Sequence, residues 1–317
     1  MEDIIDKIPR ELLLSELNQE RYVRKTNNGD NEIYIITHKD SPNTMREIGR
    51  LREVTFRHAG GGTGKSIDID EFDLGEHPYK QLLVWDPEEK EIVGAYRYIL
   101  CRDAEYEHGK VLLATTELFD FSPEFYKTYL PYTIELGRSF IQPQYQPSEQ
   151  FRKGLFSLDN LWDGLGAIVV DNPDMKYYYG KVTMYTDFNV EARDYILAFL
   201  KYYFPDPQKL VTPIHSVDLK TDVSAFMKEI DGKTYKEGHA ILNKHVRALG
   251  ENIPPMVNAY SNLSSTMMSF GTAINPTFGG VEETGILVTI ADIYKSKSDR
   301  HIETYITELK ERGEKKE

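Results

Sequence analysis

Apolar residues recur at helical spacing over residues 45–56, where Met45, Ile48, Leu51, Arg52, Thr55 and Phe56 share one stripe. A helix there carries an arginine, Arg52, near its core-facing side. Residues 81–85 and 91–100 read as strands, and the Asp86-Pro87-Glu88-Glu89-Lys90 between them is turn chemistry, so the two form a hairpin. An earlier hairpin joins 21–25 to 32–37 through Asn27-Asn28-Gly29-Asp30, and Pro9 opens a short helix before it. Residues 132–141, Tyr-Thr-Ile-Glu-Leu-Gly-Arg-Ser-Phe-Ile, suit a buried strand interrupted by charge. Helical spacing returns at 156–170 through Leu158, Leu161, Trp162, Leu165 and Ile168. A strand over 177–185 and a helix over 191–204, stopped by Pro205, follow. Beyond about residue 210 the pattern thins to a helix near 236–249, a Pro254-Pro255 break, an apolar run at 285–290 and a charged helix near 298–312. An antiparallel meander followed by alternating helices and strands predicts an α/β (α+β) protein, a mixed, mostly antiparallel sheet flanked by helices. The change in periodicity places a core at residues 1–209 and an extension packed on it at 210–317.

Glu135 and Arg138 are the first candidates for chemistry. Buried charge is costly unless it is paired or used. Strand side chains alternate, so residues three apart face opposite sides unless a bulge at Gly137 re-aims one of them. A bulge also leaves backbone N–H groups without ladder partners. On this stretch alone, a structural Glu–Arg ion pair stands beside a catalytic reading.

Composition narrows the class. Across 317 residues, the hydrophobic share of 40% and the aromatic share of 12% indicate a folded globular chain. A formal charge of −13 argues against nucleic-acid binding, which needs a basic face. One cysteine, Cys101, excludes an internal disulfide. No apolar run approaches the roughly 18 residues of a membrane span, and residues 1–8 are too acidic for a signal peptide. A soluble, cytoplasmic protein is expected, at most peripheral to the inner membrane.

Several motifs carry less than they first offer. Residues 59–66, Ala-Gly-Gly-Gly-Thr-Gly-Lys-Ser, satisfy a relaxed phosphate-loop pattern. That motif needs a buried strand before it and a helix after it. Here a helix precedes, and the acids Asp68, Asp70 and Asp73 follow. Cys101 and His108 have nothing to place them together as nucleophile and base. The histidines lack metal spacing and the acidic cluster lacks a calcium loop's pattern, so no metal site is expected. What remains is Arg52 and Phe56, Asp70 and Asp73, Arg97, Glu135 and Arg138. These charges neutralise by converging on one another or on a charged substrate.

In that order, Arg52-x-x-x-Phe56, Asp70-x-x-Asp73, Gly94-Ala-Tyr-Arg97 and Glu135-x-x-Arg138 resemble the pattern of the N-acylhomoserine lactone synthases, a branch of the GNAT acyltransferase fold. Glu135-Leu-Gly-Arg-Ser, Asn160-Leu-Trp-Asp-Gly-Leu165, Gly180-Lys-Val-Thr-Met184 and Asn252-Ile-Pro-Pro-Met-Val-Asn-Ala-Tyr260 further resemble the hemolysin-like N-acyltransferases that make ornithine and glycine lipids, and are most similar to the glycine-lipid branch. The resemblance runs from about residue 46 to 293. It implies a GNAT-like core and transfer of a 3-hydroxylated fatty acyl group from acyl carrier protein, with acyl-coenzyme A as the alternative donor. The acceptor is the α-amine of a small amino acid, glycine for preference and ornithine next. It further implies no permanently bound cofactor, only a phosphopantetheine-linked donor. The GNAT phosphate loop, Arg/Gln-x-x-Gly-x-Gly/Ala, is missing after the central strand, where Gln142–Phe151 stands. On this reading Glu135 is the base, and backbone N–H groups around Arg138, Ser139 and Phe140 face the oxyanion. Arg97 or Arg138 holds the substrate carboxylate, and Asp70 and Asp73 hold the arginines. An acidic carrier needs a basic face, for which Arg46, Arg50, Arg57 and Lys65, or Arg152 and Lys153, are candidates; ordinary solvated charges are the alternative.

Overall fold

The structure, a computed structural model, describes residues 1–146 and 156–313. The chain forms two compact units that interleave along it. The first takes Met1–Ala114, Tyr132–Lys176 and Tyr294–Glu317; the second takes Thr115–Pro131 and Tyr177–Ile293.

The first unit begins with α1 (Arg10–Glu16), β1 (Tyr22–Lys25), β2 (Glu32–Ile36), α2 (Pro42–His58), the single turn α3 (Glu71–Leu74), β3 (Lys80–Asp86) and β4 (Glu91–Leu100). A small ribbon, β5 (Tyr106–Glu107) with β6 (Lys110–Val111), follows. After β7 (Phe119–Phe121), which belongs to the second unit, the chain returns as β8 (Thr133–Ile141) and α4 (Ser157–Asp171). The sheet order is β1–β2–β3–β4–β8, every neighbouring pair antiparallel. All ten residues of β4 are buried, as the near-continuous apolar run implies for a strand covered on both faces. On one face sits α4. A Cβ at Gly164 would lie 2.6 Å from Leu82 Cδ2, so the glycine sets how closely the helix approaches. On the other face sits α2, whose polar contacts build the site described below.

The second unit contains β9 (Tyr177–Met184), α5 (Val190–Tyr203), β10 (Val211–Pro213), α6 (Ser224–Ile230), α7 (Tyr235–Ala248), α8 (Pro255–Ser261), β11 (Met268–Asn275) and β12 (Val281–Thr289). The strands β9, β12 and β11 pair antiparallel in that order, and β10 pairs with β7. Phe121, Phe125, Tyr179 and Phe270 make an aromatic core, with ring centroids 4.6–6.3 Å apart. The sequence pattern divides at 209. The structural units instead cross that position, because β9 pairs with β12 over eight residues, from Tyr177↔Thr289 to Met184↔Glu282.

The final segment returns to the first unit as α9 (Lys295–Ser298), a wide π-helical turn (Asp299–Glu303) and α10 (Thr304–Glu311). One continuous helix over 298–312 is the expectation. The wide turn interrupts it where His301 turns inward and its Nδ1 lies 2.7 Å from Asp163 Oδ1 on α4. Tyr305 and Leu309 then pack on Ala167 and Val170. Among the described residues, no helix is long and apolar enough to cross a membrane.

Candidate active site

The charges that the sequence leaves unassigned converge between the sheet and α2. Arg52 is wholly buried. It donates through Nη1 to Asp73 Oδ2 (2.9 Å), through Nη2 to Gln81 Oε1 (2.6 Å), and through Nη1 to the Asp68 carbonyl (3.3 Å). Gln81 returns its Nε2 to Asp73 Oδ1 at 3.0 Å. Arg97 projects from β4 and donates through Nη1 to both oxygens of Asp70 at 2.7 Å, and to Asp73 Oδ2 at 3.3 Å. Phe72 and Tyr79 close its guanidinium in, their ring centroids 5.7 and 5.2 Å away. Arg138 Nε lies 3.0 Å from Asp68 Oδ2, and its Nη2 lies 3.7 Å from Asp70 Oδ2. Three arginines thus interleave with three aspartates, which is how the fold tolerates so much buried charge. The Asp70-x-x-Asp73 spacing has a local cause. Asp70 caps α3 and Asp73 returns the bond to the cap, a reciprocal capping box that fixes both carboxylates.

The electrostatics follow from this packing. Burial works to raise the Asp73 carboxyl, but Arg52 and Arg97 outweigh it and hold it well below the ordinary carboxylate range. Asp68 goes the other way: burial pushes it up, and Arg138, Arg52 and Arg97 only partly offset that. Burial opposes the charge on Arg97, yet Asp73 and Asp70 bind its proton more firmly than usual. The carboxylates of the acidic cluster are spent on arginines. Among the described residues, no group of three or more His, Cys, Asp or Glu side chains is placed to hold a metal ion.

Glu135 and Arg138 reach one face because β8 is bulged. Register runs Arg97↔Gly137 and then Ala95↔Phe140, so Arg138 and Ser139 together stand opposite Tyr96 alone. Arg138 takes φ +47°, the left-handed conformation that a non-glycine residue rarely adopts. Gly94 makes room for the bulge: a Cβ there would lie 2.3 Å from the Phe140 carbonyl oxygen. Phe140 and Gly137 therefore both share the face of Arg97. Phe140 meets Phe56 of α2 edge-on, with centroids 6.4 Å apart. Glu135, opposite Ile99, points to the same face and is 1% exposed. Its Oε2 accepts a hydrogen bond from the Tyr79 hydroxyl. Arg138 and Ser139 are half-buried, and the Arg138 side chain keeps 15% exposure against 3% for Arg97.

Tyr79, Gln81, Phe72 and the Asp68 side chain are the members that sequence reasoning did not place in the site. The only available signal was register, because Gln81 pairs with Arg97 across β3 and β4. The other motifs resolve as structural. The glycine-rich loop follows helix α2 directly, and the N–H groups of Thr63, Gly64, Lys65 and Ser66 are already taken within the chain. Glu53, wholly buried, accepts from Thr63 N (3.1 Å), Gly64 N (2.8 Å) and Arg57 Nε (2.7 Å). A carboxylate of the chain itself occupies the place a phosphate would take in a nucleotide-binding loop. Cys101 is buried, and burial together with nearby Glu135 pushes its thiol well above the usual range, the opposite of an activated nucleophile. Of the basic candidates, Arg50 is paired with Glu47 and Arg57 with Glu53, while Arg46 and Lys65 are exposed. Arg152 and Lys153 lie outside the described residues.

An acetyltransferase (GNAT) domain matches residues 51–153, the span that carries Arg52, Asp70, Asp73, Arg97, Glu135 and Arg138. A glycine N(alpha)-acyltransferase of Phocaeicola vulgatus is 54% identical over 307 residues, covering 96% of this chain and 94% of that protein. A second protein of that description, from Bacteroides thetaiotaomicron, is 55% identical over 307 residues, covering 96% and 91%. The chain belongs to this family. It is a GNAT-type acyltransferase that acylates nitrogen. A solved CoA-dependent acyl-homoserine lactone synthase, with SAM and isopentyl-CoA, is also similar, at 11% identity and a TM-score of 0.38 over 88% of this chain and 90% of that one.

Proposed function

We propose that the protein transfers a 3-hydroxylated fatty acyl group from the phosphopantetheine thioester of acyl carrier protein to the α-amine of glycine, a step of aminolipid synthesis. The observation that carries this is identity of 54–55%, over nearly the whole length, to proteins described as glycine N(alpha)-acyltransferases. The carrier as donor rests on the resemblance stated above and on the missing GNAT phosphate loop, whose task is to cradle the diphosphate of coenzyme A.

The reaction forms a nitrogen–carbon bond and breaks the carbon–sulfur bond of the thioester. Glycine enters as an ammonium and attacks as an amine, so one proton leaves to solvent before attack. A second leaves nitrogen as the amide forms and ends on the departing sulfur. Glu135 is the base for that second proton, and its place on the face shared with Arg97 and Arg138 supports the role. The bulge at Arg138–Ser139 interrupts the β4–β8 register, which supports assigning the oxyanion contact to backbone N–H groups there. Arg138, the arginine of the cluster with an outlet to solvent, holds the glycine carboxylate. Arg52, Asp70, Asp73 and Arg97 keep it in place, and Phe56 and Phe140 wall the site.

The test is transfer from purified acyl-loaded carrier to glycine. Glu135→Gln is expected to lower kcat by about 10²–10⁴-fold with the fold intact, the usual scale of a general base. Unchanged turnover overturns the base assignment. Product formed only with ornithine overturns the acceptor, and product formed only from acyl-coenzyme A overturns the donor.

A further inference from the structure

The Glu135 carboxylate accepts a hydrogen bond from a residue that no motif contains. Tyr79 stands between Pro78 and the first residue of β3, is 2% exposed, and makes four contacts that leave its ring one position. Its hydroxyl donates to Glu135 Oε2 and accepts from the Ala114 N–H at 3.1 Å. Its ring stacks over the Arg97 guanidinium and meets Phe72 edge-on, with centroids 5.7 Å apart. Its carbonyl accepts from Gln81 Nε2 at 3.2 Å. One side chain therefore joins the carboxylate of β8 to the arginine cluster.

The geometry points to Tyr79 as a positioning residue for acyl transfer, one that fixes the Glu135 carboxylate in its ionised, proton-accepting form and orientation. This rests on the reading of Glu135 as the base. A hydrogen bond donated to a carboxylate favours the charged form. Burial and the Glu135 charge push the Tyr79 hydroxyl well above its ordinary range, so it keeps its proton and remains the donor. Charged or titratable groups around the pair include Arg97 on β4, Cys101 and Asp103 in the turn after it, and Asp70, Asp73 and Arg52 beyond Arg97. Cys101 stays protonated for the reason given above, and the three arginines balance the three aspartates. Tyr79 donates its hydroxyl hydrogen to Glu135 Oε2.

Tyr79→Phe keeps the ring, its stacking on Arg97 and its contact with Phe72, and removes the donor. The experiment measures kcat and KM for glycine against pH in wild type, Tyr79→Phe, Glu135→Gln and the double variant, with unfolding followed alongside. With its donor gone, the carboxylate takes up a proton more readily, so the acidic limb of the kcat profile moves to higher pH. Below the wild-type limb, Tyr79→Phe is expected to lose about tenfold in kcat for each unit of that movement, with KM for glycine little changed. The loss relative to wild type should shrink as pH rises, which a merely damaged fold would not do. In the Glu135→Gln background the same change should cost nothing more. A pH-independent ratio of Tyr79→Phe to wild type, beside an inactive Glu135→Gln, overturns the inference and leaves the base assignment standing. Full turnover by Glu135→Gln overturns both.

Discussion

The arginine–aspartate cluster gives single residues an unusual hold on stability. Arg52 and Asp73 are wholly buried and answer each other directly. Truncating Arg52 to alanine strands a charged carboxylate, and the expected loss is about 3–5 kcal/mol in urea unfolding at neutral pH. Acid acts through the same pair. Because the Asp73 carboxyl is depressed in the fold, its contribution is present above the unfolded value near 3.9 and drains away as pH falls below it. Asp68 opposes this, since a raised carboxyl is relieved by protonation. Asp73→Asn is therefore expected to unfold more readily at pH 7, with a flatter fall in stability between pH 4 and 2; a fall as steep as wild type places the acid sensitivity elsewhere. The charges themselves were legible, because Arg52 lies on an apolar stripe and Glu135 and Arg138 interrupt an apolar strand. Tyr79 and Glu53 were not legible. A tyrosine at a strand start and a glutamate on a helix carry no periodic signal, and their partners lie 56 and 10 residues away.

Among elements, the bulge in β8 decides most. An unbulged strand would send Glu135 and Arg138 to opposite faces, and the pair would cease to share a site. Gly94→Ala tests this from the neighbouring strand. Its Cβ would collide with the Phe140 carbonyl, so β8 must shift. The expectation is a loss of roughly 1–3 kcal/mol, the scale of overpacking, with turnover falling further than stability explains, measured by thermal unfolding beside the transfer assay. The amphipathic helices and hairpins were readable because burial imposes their period. The one-turn α3, the helices α6 and α8, the strand β11 and the π turn were not, being short or set by tertiary contacts. The anchoring of His301 by Asp163 illustrates the second case. Asp163 also accepts from Asn27 N at 2.8 Å and Asn27 Nδ2 at 2.6 Å, tying α4 to the β1–β2 turn.

For the whole molecule, charge sets the terms of association. If the donor is the proposed acidic carrier, a chain of net charge −13 repels it on average, and productive encounter would rely on local cations such as Arg46 and Lys65. On the carrier reading, KM for acyl carrier protein is expected to rise with salt from 50 to 500 mM, while KM for glycine stays nearly constant. A salt-insensitive carrier KM removes that docking model. Mixed α/β class and a mostly antiparallel sheet were visible in the order of patterns. The interleaving of units was not, because the β9–β12 pairing spans about a hundred residues and leaves no trace in local periodicity.

That interleaving orders events in time. The terminal segment supplies Tyr305 and Leu309 to the apolar surface of α4, and His301 to Asp163. As the chain is synthesised at roughly 5–20 residues per second, α4 emerges and must wait for the larger part of the second unit, residues 177–293, to follow. The delay is on the order of 6–25 s, long against the folding of either unit's hairpins and helices. For that interval the outer side of α4 stays uncovered, which makes the nascent chain, rather than the finished enzyme, the stage most exposed to aggregation and to chaperone capture.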